Sequence, residues 1–256
     1  MIRLKTKEQI ASLRKCGKKL ATILNTLAKE VKPGVSTADL DKMAGKLMAK
    51  AGGKSAFLDY TPLGAKRPYP ANICISVNQE IVHGIPNENP KIIKEGDLVT
   101  LDGGLVYEGM ITDHAVTIMV DVKDKRVKEL VARTKEALMA GIKQARVGNH
   151  VGDIGAAISK VAEKSNLSIM QSLSGHGVGF EVHEDPYVPN YGFKGQGEEL
   201  VPGMVIAIEP MFGLGGGEIR LMRDGYTYET RDGSLSAQFE HTVAITEKGP
   251  VILTDL

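Results

Sequence analysis

The chain has 256 residues, of which 42% are hydrophobic and 25% charged, and its formal net charge is +1. This composition is ordinary for a globular α/β protein and excludes collagenous, intrinsically disordered and disulfide-scaffold proteins. No run approaches the roughly 18 apolar residues of a membrane span, and the first residues lack the apolar core of a signal peptide. We therefore expect a cytoplasmic protein with no membrane partner.

Charge is distributed unevenly along the chain. Residues 1–35 contain nine Lys and Arg against two Asp and Glu, so this segment carries +7 and the rest of the chain −6. A basic segment of this kind is either the solvated face of a helix or a contact for an acidic partner.

The N-terminal region predicts two helices. Apolar residues recur three, four or seven positions apart over residues 10–31, which predicts an amphipathic helix that ends at Pro33-Gly34. A second helix is expected from about Thr37, with Ser36 or Thr37 as its N-cap.

After these helices the apolar pattern alternates, which is typical of strands. Residues 73–77 and 98–101 predict two strands, and Gly103-Gly104 is expected to turn the second one back toward residues 111–120. A β-hairpin is therefore predicted in this region.

The second half of the chain repeats this order. Helices are predicted over residues 124–146 and 151–164, with a break at Gly148, and a Gly-rich strand region follows. An offset of 114 residues superposes four identical residues, namely Gly34, Asp39, Lys46 and Lys50 on Gly148, Asp153, Lys160 and Lys164. We expect one domain over residues 1–256, built from pseudo-repeats at about 7–120 and 124–246.

Three familiar motifs fail on inspection. Gly53-Lys54-Ser55 lacks the earlier glycine of a phosphate loop, because that position is Met48. The glycines of residues 175–179 do not have the GxGxxG spacing, and His183-Glu184 lacks the second histidine of a zincin helix. Nucleotide binding and single-zinc proteolysis are therefore not indicated.

Four acidic residues lie within or at the end of apolar strands: Asp102, Asp113, Glu209 and Glu240. A carboxylate within a sheet is costly unless it is paired with a cation or bound to a metal. Asp102 and Asp113 can face each other across the predicted hairpin. His176 offers an imidazole between two glycines, which we expect to leave its surroundings open.

These residue types favour two divalent ions. Four carboxylates contribute −4 and two divalent ions +4, so the site would be neutral. Oxygen-rich ligation with one imidazole suits Mn, Fe, Co or Zn and argues against copper. Cys16 and Cys74 are too few for a structural zinc site. For any single acid a strand-end salt bridge is the alternative, but the conjunction favours metal.

Eight segments, in this order, carry a family resemblance: 32–37, 73–78, 82–86, the pair Asp102 and Asp113, 175–179, 183–186, 208–211 and 234–242. Over nearly its whole length the chain resembles the type I methionine aminopeptidases. The resemblance implies an α/β (α+β) protein with the pita-bread fold. In this fold two pseudo-symmetric halves form a curved antiparallel sheet covered by helices.

The resemblance also implies the site. The metal ligands would be Asp102, Asp113, His176, Glu209 and Glu240, with Asp113 and Glu240 bridging two divalent ions (Co, Mn, Fe or Zn). His83 and His183 would hydrogen-bond the scissile peptide and support charge on its carbonyl oxygen, and Glu209 would carry a proton to the leaving amine. The methionine side chain would enter an apolar pocket built from Phe57, Tyr60, Tyr69, Cys74, Val182 and Tyr226.

The implied function is metal-dependent removal of the initiator methionine from nascent polypeptides whose second residue is small. The implied partners are the N-termini of nascent polypeptides and, through the basic N-terminal segment, a transient contact with the ribosome. We expect a monomer. Two rivals remain: a prolidase-like enzyme of the same fold, which would carry a further N-terminal domain, and a non-catalytic binding protein, which would tend to lose ligands.

The chain departs from the family pattern at four places. His114 replaces the usual Thr, Tyr226 the usual Trp and Val182 the common Phe, and the segment 62–68 is longer than in many members. None of these positions is a ligand, so the substrate pocket is where the family pattern is expected to change.

Overall fold

Four helices and fifteen strands make up the chain in the computed structural model, which describes residues 1–256. The helices are α1 (Lys7–Ala28), α2 (Thr37–Lys50), α3 (Lys125–Gln144) and α4 (Val151–Ser165). The strands are β1 (Lys54–Ser55), β2 (Cys74–Val77), β3 (Glu80–Val82), β4 (Leu98–Tyr107), β5 (Met110–Met119), β6 (Ser168–Ile169), β7 (Ser174–Gly177), β8 (Glu184–Pro189), β9 (Val205–Ile208), β10 (Met211–Gly213), β11 (Ile219–Leu221), β12 (Tyr228–Thr230), β13 (Ser236–Gln238), β14 (Glu240–Thr246) and β15 (Gly249–Ile252). None of the helices combines the length and the apolar character that a membrane crossing requires.

The first two helices begin at side-chain caps. Thr6 and Gln9 form a capping box at the start of α1, in which each side chain accepts a hydrogen bond from the other residue's backbone N–H. Ser36 caps α2 by accepting from the N–H of Ala38, as one of the two predicted caps. The end of α1 is a correction: the helix stops at Ala28, not at Pro33, because the chain tightens into i to i+3 bonds there, while Val31 still packs into the core.

A nine-stranded, curled sheet forms the centre of the molecule. Its strands lie in the order β1, β4, β5, β14, β9, β7, β8, with β2 added beside β4 and β15 beside β14. Every neighbouring pair in this sheet is antiparallel, as predicted. Because β14 pairs with both β5 and β9, a strand from late in the chain joins the strands of the two halves.

The hairpin of β4 and β5 exists, but the predicted turn is wrong. β4 runs straight through Gly103 and Gly104, and the chain reverses at Glu108-Gly109, where both residues have positive φ (50° and 75°). The earlier glycines serve close packing: a Cβ on Gly104 would lie 2.7 Å from the ring of Phe57.

Two apolar cores hold the helices on the sheet. One joins α1 and α2 to β2 and β4, and the other joins α3 and α4 to β9 and β14. Each half thus contributes two helices followed by strands. The internal repeat at an offset of 114 residues stays a prediction.

Candidate metal centre and substrate pocket

One cavity of about 740 Å³ contains all thirteen residues that the sequence analysis assigned to the site. They are Phe57, Tyr60, Tyr69, Cys74, His83, Asp102, Asp113, His176, Val182, His183, Glu209, Tyr226 and Glu240. The carboxylates and imidazoles thus open into the same space as the apolar residues. Their individual roles remain proposals.

Strand register brings the carboxylates onto one face of the sheet. Asp102 lies opposite Ala115 on β5, and Ala115 lies opposite Glu240 on β14. Asp113 lies opposite Gly104, two positions along, so it shares the face of Asp102 and Glu240 because side chains alternate along a strand. The predicted juxtaposition of Asp102 and Asp113 is therefore present, diagonally rather than directly across the hairpin.

His176 lies in β7 between glycines that are tightly packed, which corrects the expectation of open surroundings. A Cβ on Gly175 would lie 2.2 Å from the carbonyl oxygen of Ala207, and one on Gly177 would lie 2.1 Å from that of Asp185. The glycines therefore let neighbouring backbones approach the histidine. Its Nδ1 lies 2.9 Å from the carbonyl oxygen of Gly177, and donation of the Nδ1 proton there leaves the Nε2 lone pair free toward the cavity.

The predicted ligands are close enough together to hold cations. Ligand atoms of Asp113, His176 and Glu240 all lie within 4.8 Å of one another, and His176 Nε2 lies 3.5 Å from Glu209 Oε1. Asp102 Oδ1 and Glu240 Oε1 are buried without any hydrogen-bond partner. Buried, unpartnered carboxylate oxygens in the same cavity as an imidazole fit the donor set of divalent metal ions.

The electrostatics of the carboxylate cluster also favour the binding of cations. Burial raises the pKa of Asp102 to about 7, and burial followed by the charge of neighbouring carboxylates raises the pKa of Asp113 and Glu240 well above their usual range. The pKa of Glu209 is raised by burial and by the charge of Asp102. Cations among these groups would offset both effects and favour the ionised carboxylates.

Residues that the sequence analysis missed form hydrogen bonds to two of the predicted ligands. The Gln238 side chain donates to Glu209 Oε2 at 3.1 Å, and Asn190 donates to the Glu209 carbonyl at 3.0 Å. Thr242 donates its hydroxyl proton to the carbonyl of Asp113 and accepts from the Asp113 N–H. Thr242 lies two positions after Glu240 in β14, so alternation along this strand was a usable signal for it, whereas Gln238 ends the preceding strand β13.

Two further histidines face the cavity in the neutral form. Burial lowers the pKa of His83 to about 4, and burial also lowers the pKa of His183. The rings of His176 and His183 meet edge to face with centroids 4.5 Å apart. Tyr60 lies behind His183, with its hydroxyl 3.0 Å from the histidine Nδ1. If the hydroxyl donates to Nδ1, the proton of His183 is on Nε2.

The apolar part of the cavity centres on two tyrosines. Tyr69 and Tyr226 are 4% and 6% exposed, and their rings meet edge to face at a centroid distance of 5.1 Å. The sequence analysis also missed several apolar or aromatic lining residues, namely Val82, Leu173, Tyr187, Met211 and Tyr228. His114 lies on the opposite face of the sheet, as its place beside Asp113 on a strand predicts, and stacks on His241 at 4.7 Å.

Comparison with known proteins supplies the family. Residues 11–247 match the model of metallopeptidase family M24. The chain belongs to this family. Its curated relatives include the methionine aminopeptidase of Aquifex aeolicus, which is 47% identical over 100% of this chain and 99% of the relative. The methionine aminopeptidase of Clostridium acetobutylicum is 39% identical over 99% of both.

Solved structures agree with the fold. The methionine aminopeptidase of Thermotoga maritima matches with a TM-score of 0.95 and 41% identity, and the match covers 100% of both chains. A prolidase from Pyrococcus furiosus matches with a TM-score of 0.75 and 24% identity, and only 65% of its chain is covered. The prolidase therefore supports the pita-bread fold and nothing more specific.

Proposed function

We propose that this chain is a metal-dependent aminopeptidase that removes the N-terminal methionine from polypeptides whose second residue is small. The observation that carries the proposal is the single cavity in which a cluster of four carboxylates and an imidazole adjoins an apolar pocket. The cluster accounts for hydrolysis and the pocket for recognition of an unbranched apolar side chain. The full-length similarity to methionine aminopeptidases supports the same reaction.

We assign Asp102, Asp113, His176, Glu209 and Glu240 as ligands of two divalent ions. Manganese, iron, cobalt and zinc all suit this donor set. When bound, the ions would activate water and polarise the scissile carbonyl. All five side chains are present and face one cavity, which disfavours a non-catalytic binding protein.

Proton transfer falls to Glu209 in this assignment. Gln238 holds one of its carboxylate oxygens, while the other faces His176, so the group is fixed by packing and hydrogen bonds. From this position Glu209 would take a proton from water and deliver it to the leaving amine.

His83 and His183 would bind the peptide group that is cleaved. Because burial lowers the pKa of both, each is neutral near pH 7 and has one N–H to donate and one nitrogen that can accept. Donors fixed beside the carbonyl oxygen stabilise the charge that develops there during hydrolysis.

The methionine side chain would enter the pocket formed by Phe57, Tyr60, Tyr69, Cys74, Val182 and Tyr226. The shape of the pocket would exclude β-branched first residues, and its lack of polar partners would exclude charged ones. The substrates would be the N-termini of nascent polypeptides, so we place the enzyme in the cytoplasm. We also propose that it is a monomer.

The basic N-terminal segment is our proposed ribosome contact, although some of its basic side chains form ion pairs with acidic residues of the same chain. Lys5 pairs with Glu184 and Arg14 with Asp255, whereas Lys15 and Lys18 are exposed. The contact would therefore use the exposed lysines of α1. It would weaken with added salt, because exposed charges are screened.

The test is an assay of purified, metal-free protein on Met-Ala-Ser and Ala-Pro peptides, with each candidate metal added in turn. Release of methionine from the first peptide only, and only with metal, is the expected result. Cleavage of Ala-Pro instead would favour a prolidase-like activity, and metal binding without cleavage of either peptide would favour a binding protein.

A further inference from the structure

The long segment 62–68 leaves and rejoins the pocket wall at one place. Tyr60 and Tyr69 close its two ends, because the Tyr69 N–H donates to the Tyr60 carbonyl at 2.8 Å. Just outside this closure, the Asp59 N–H donates to the Tyr69 carbonyl at 2.9 Å. The segment is thus an excursion whose two ends are both residues of the proposed methionine pocket.

Arg67 fastens this excursion to two other parts of the chain. Its guanidinium donates to both carboxylate oxygens of Glu88, at 2.5 and 2.7 Å. It also donates to the carbonyl of Asp224 at 3.1 Å. A bidentate guanidinium–carboxylate pair fixes orientation as well as distance, which a lysine cannot do.

Asp224 opens the turn that carries Tyr226. Its carboxylate accepts from the N–H groups of Tyr226 and Thr227, at 2.8 and 2.9 Å, and from the Thr227 hydroxyl at 2.6 Å. The turn is therefore stabilised by two sets of hydrogen bonds. Arg67 donates to the Asp224 carbonyl from a neighbouring segment, and the Asp224 side chain accepts hydrogen bonds from residues of the turn itself.

The phenol group of Tyr226 completes the connection. Its hydroxyl donates to the backbone carbonyl of Arg67, and the Arg67 guanidinium lies 5.9 Å from the centre of its ring. A buried hydroxyl needs such a partner, and the long segment supplies it. The two departures from the family pattern, the longer segment and tyrosine in place of tryptophan, are thus parts of one arrangement.

We infer that Arg67 is a positioning residue for the methionine pocket: with Glu88 and the turn 224–227 it fixes the ring of Tyr226 and so sets how strictly the first substrate residue is selected. The inference rests on the proposed function and deepens it. The Arg67 and Glu88 side chains are 38% and 37% exposed, so their pair contributes little to stability. Its loss should therefore change selectivity far more than thermal stability.

The test compares metal-loaded wild-type protein with Arg67→Met, Arg67→Lys and Glu88→Gln. Lys66→Met is the matched control, because Lys66 is an exposed neighbour in the same segment. The readout is kcat/KM for Met-, norleucine-, Leu- and Phe-Ala-Ser peptides. We expect Arg67→Met to lower the Met-to-Leu ratio by roughly three- to tenfold, mainly through KM, since a moved pocket wall discriminates less between side chains of similar size. Arg67→Lys and Glu88→Gln should each have part of this effect, and Lys66→Met none.

Tyr226→Phe and the double variant with Arg67→Met show whether the two residues act together. We expect the double variant to lower the ratio no further than the larger single effect, because both changes release the same ring. Equal loss of kcat/KM for all four peptides, an unchanged ratio, or additive effects would each overturn the inference.

A second readout does not depend on turnover. With fluorotyrosine incorporated, the 19F resonance of residue 226, assigned through Tyr226→Phe, should shift in Arg67→Met and stay in place in Lys66→Met. An unshifted resonance would overturn the positioning role. If wild-type protein released no methionine, the proposed function would fail, while the 19F spectra would still decide the role of Arg67.

Discussion

The buried ion pair between Lys5 and Glu184 allows the loss of stability on removing one partner to be predicted from its surroundings. Lys5 Nζ lies 2.6 Å from Glu184 Oε2, and the two side chains are 1% and 4% exposed. Burial lowers the pKa of Lys5, which is consistent with an ammonium group removed from water. Glu184 also accepts backbone N–H bonds from Phe180 and Glu181, at 2.5 and 2.9 Å. The first residues of the chain thus fasten the segment that carries His183.

Lys5→Met keeps the aliphatic stem and removes the charge. Breaking a buried pair by deleting one partner costs about 3–5 kcal/mol, because the other charge is left uncompensated. The two backbone donors still serve the Glu184 carboxylate, so we expect about 3 kcal/mol, at the low end of that range. At about 2–4 °C per kcal/mol for a domain near this size, Tm should fall by about 6–12 °C.

Thermal and urea unfolding of the metal-loaded protein measure this loss, with Lys7→Met as the control because Lys7 is exposed in the first turn of α1. Glu184→Gln completes a double-mutant cycle, since glutamine can still accept the two backbone N–H bonds. The neutral double variant should be more stable than the sum of the single losses predicts. A loss in Lys5→Met no larger than in Lys7→Met, or strict additivity in the cycle, would refute the reasoning.

Three other predictions concern the site. Chelation should abolish activity and lower Tm, and added metal should restore both, because ions that bind only the folded protein stabilise it; full turnover after chelation would contradict the two-metal centre. Glu209→Gln should lower kcat by roughly 10²- to 10⁴-fold, and a drop below tenfold at unchanged metal content would remove Glu209 from proton transfer. Tyr60→Phe, which removes the hydroxyl beside His183, should lower kcat/KM by about tenfold, the equivalent of one hydrogen bond, and no change would show that His183 needs no support from Tyr60.

The sequence indicated which residues line one cavity better than it indicated the local structure around them, while the roles of these residues stay predictions. Asp102, Asp113 and Glu240 could be singled out because a carboxylate in an apolar strand is costly unless it is paired or bound to a metal, whatever the details of the turn between strands. The turn itself was misplaced, since Gly103-Gly104 resembles a reversal and its real role, close packing against Phe57, depends on a tertiary contact. A glycine in a sequence does not reveal which of these two reasons requires it.

Contacts between distant segments could not be predicted from the sequence for a related reason. Lys5 and Glu184 are 179 positions apart, and nothing in either local pattern indicates that they meet. The same holds for the Tyr226 hydroxyl and the Arg67 carbonyl, 159 positions apart. Periodicity reports which face of an element is buried, whereas such pairs depend on how whole elements are placed.

The central place of β14 has a consequence for biosynthesis. A chain is made from its N-terminus, so β14, which lies between β5 and β9 in the sheet and carries Glu240, is synthesised after both of these strands. Until then the partner edges of β5 and β9 are open and able to pair with other chains. The joining of these two strand edges and the arrival of Glu240 in the cavity are therefore one step, and a nascent chain interrupted before residue 240 would have neither.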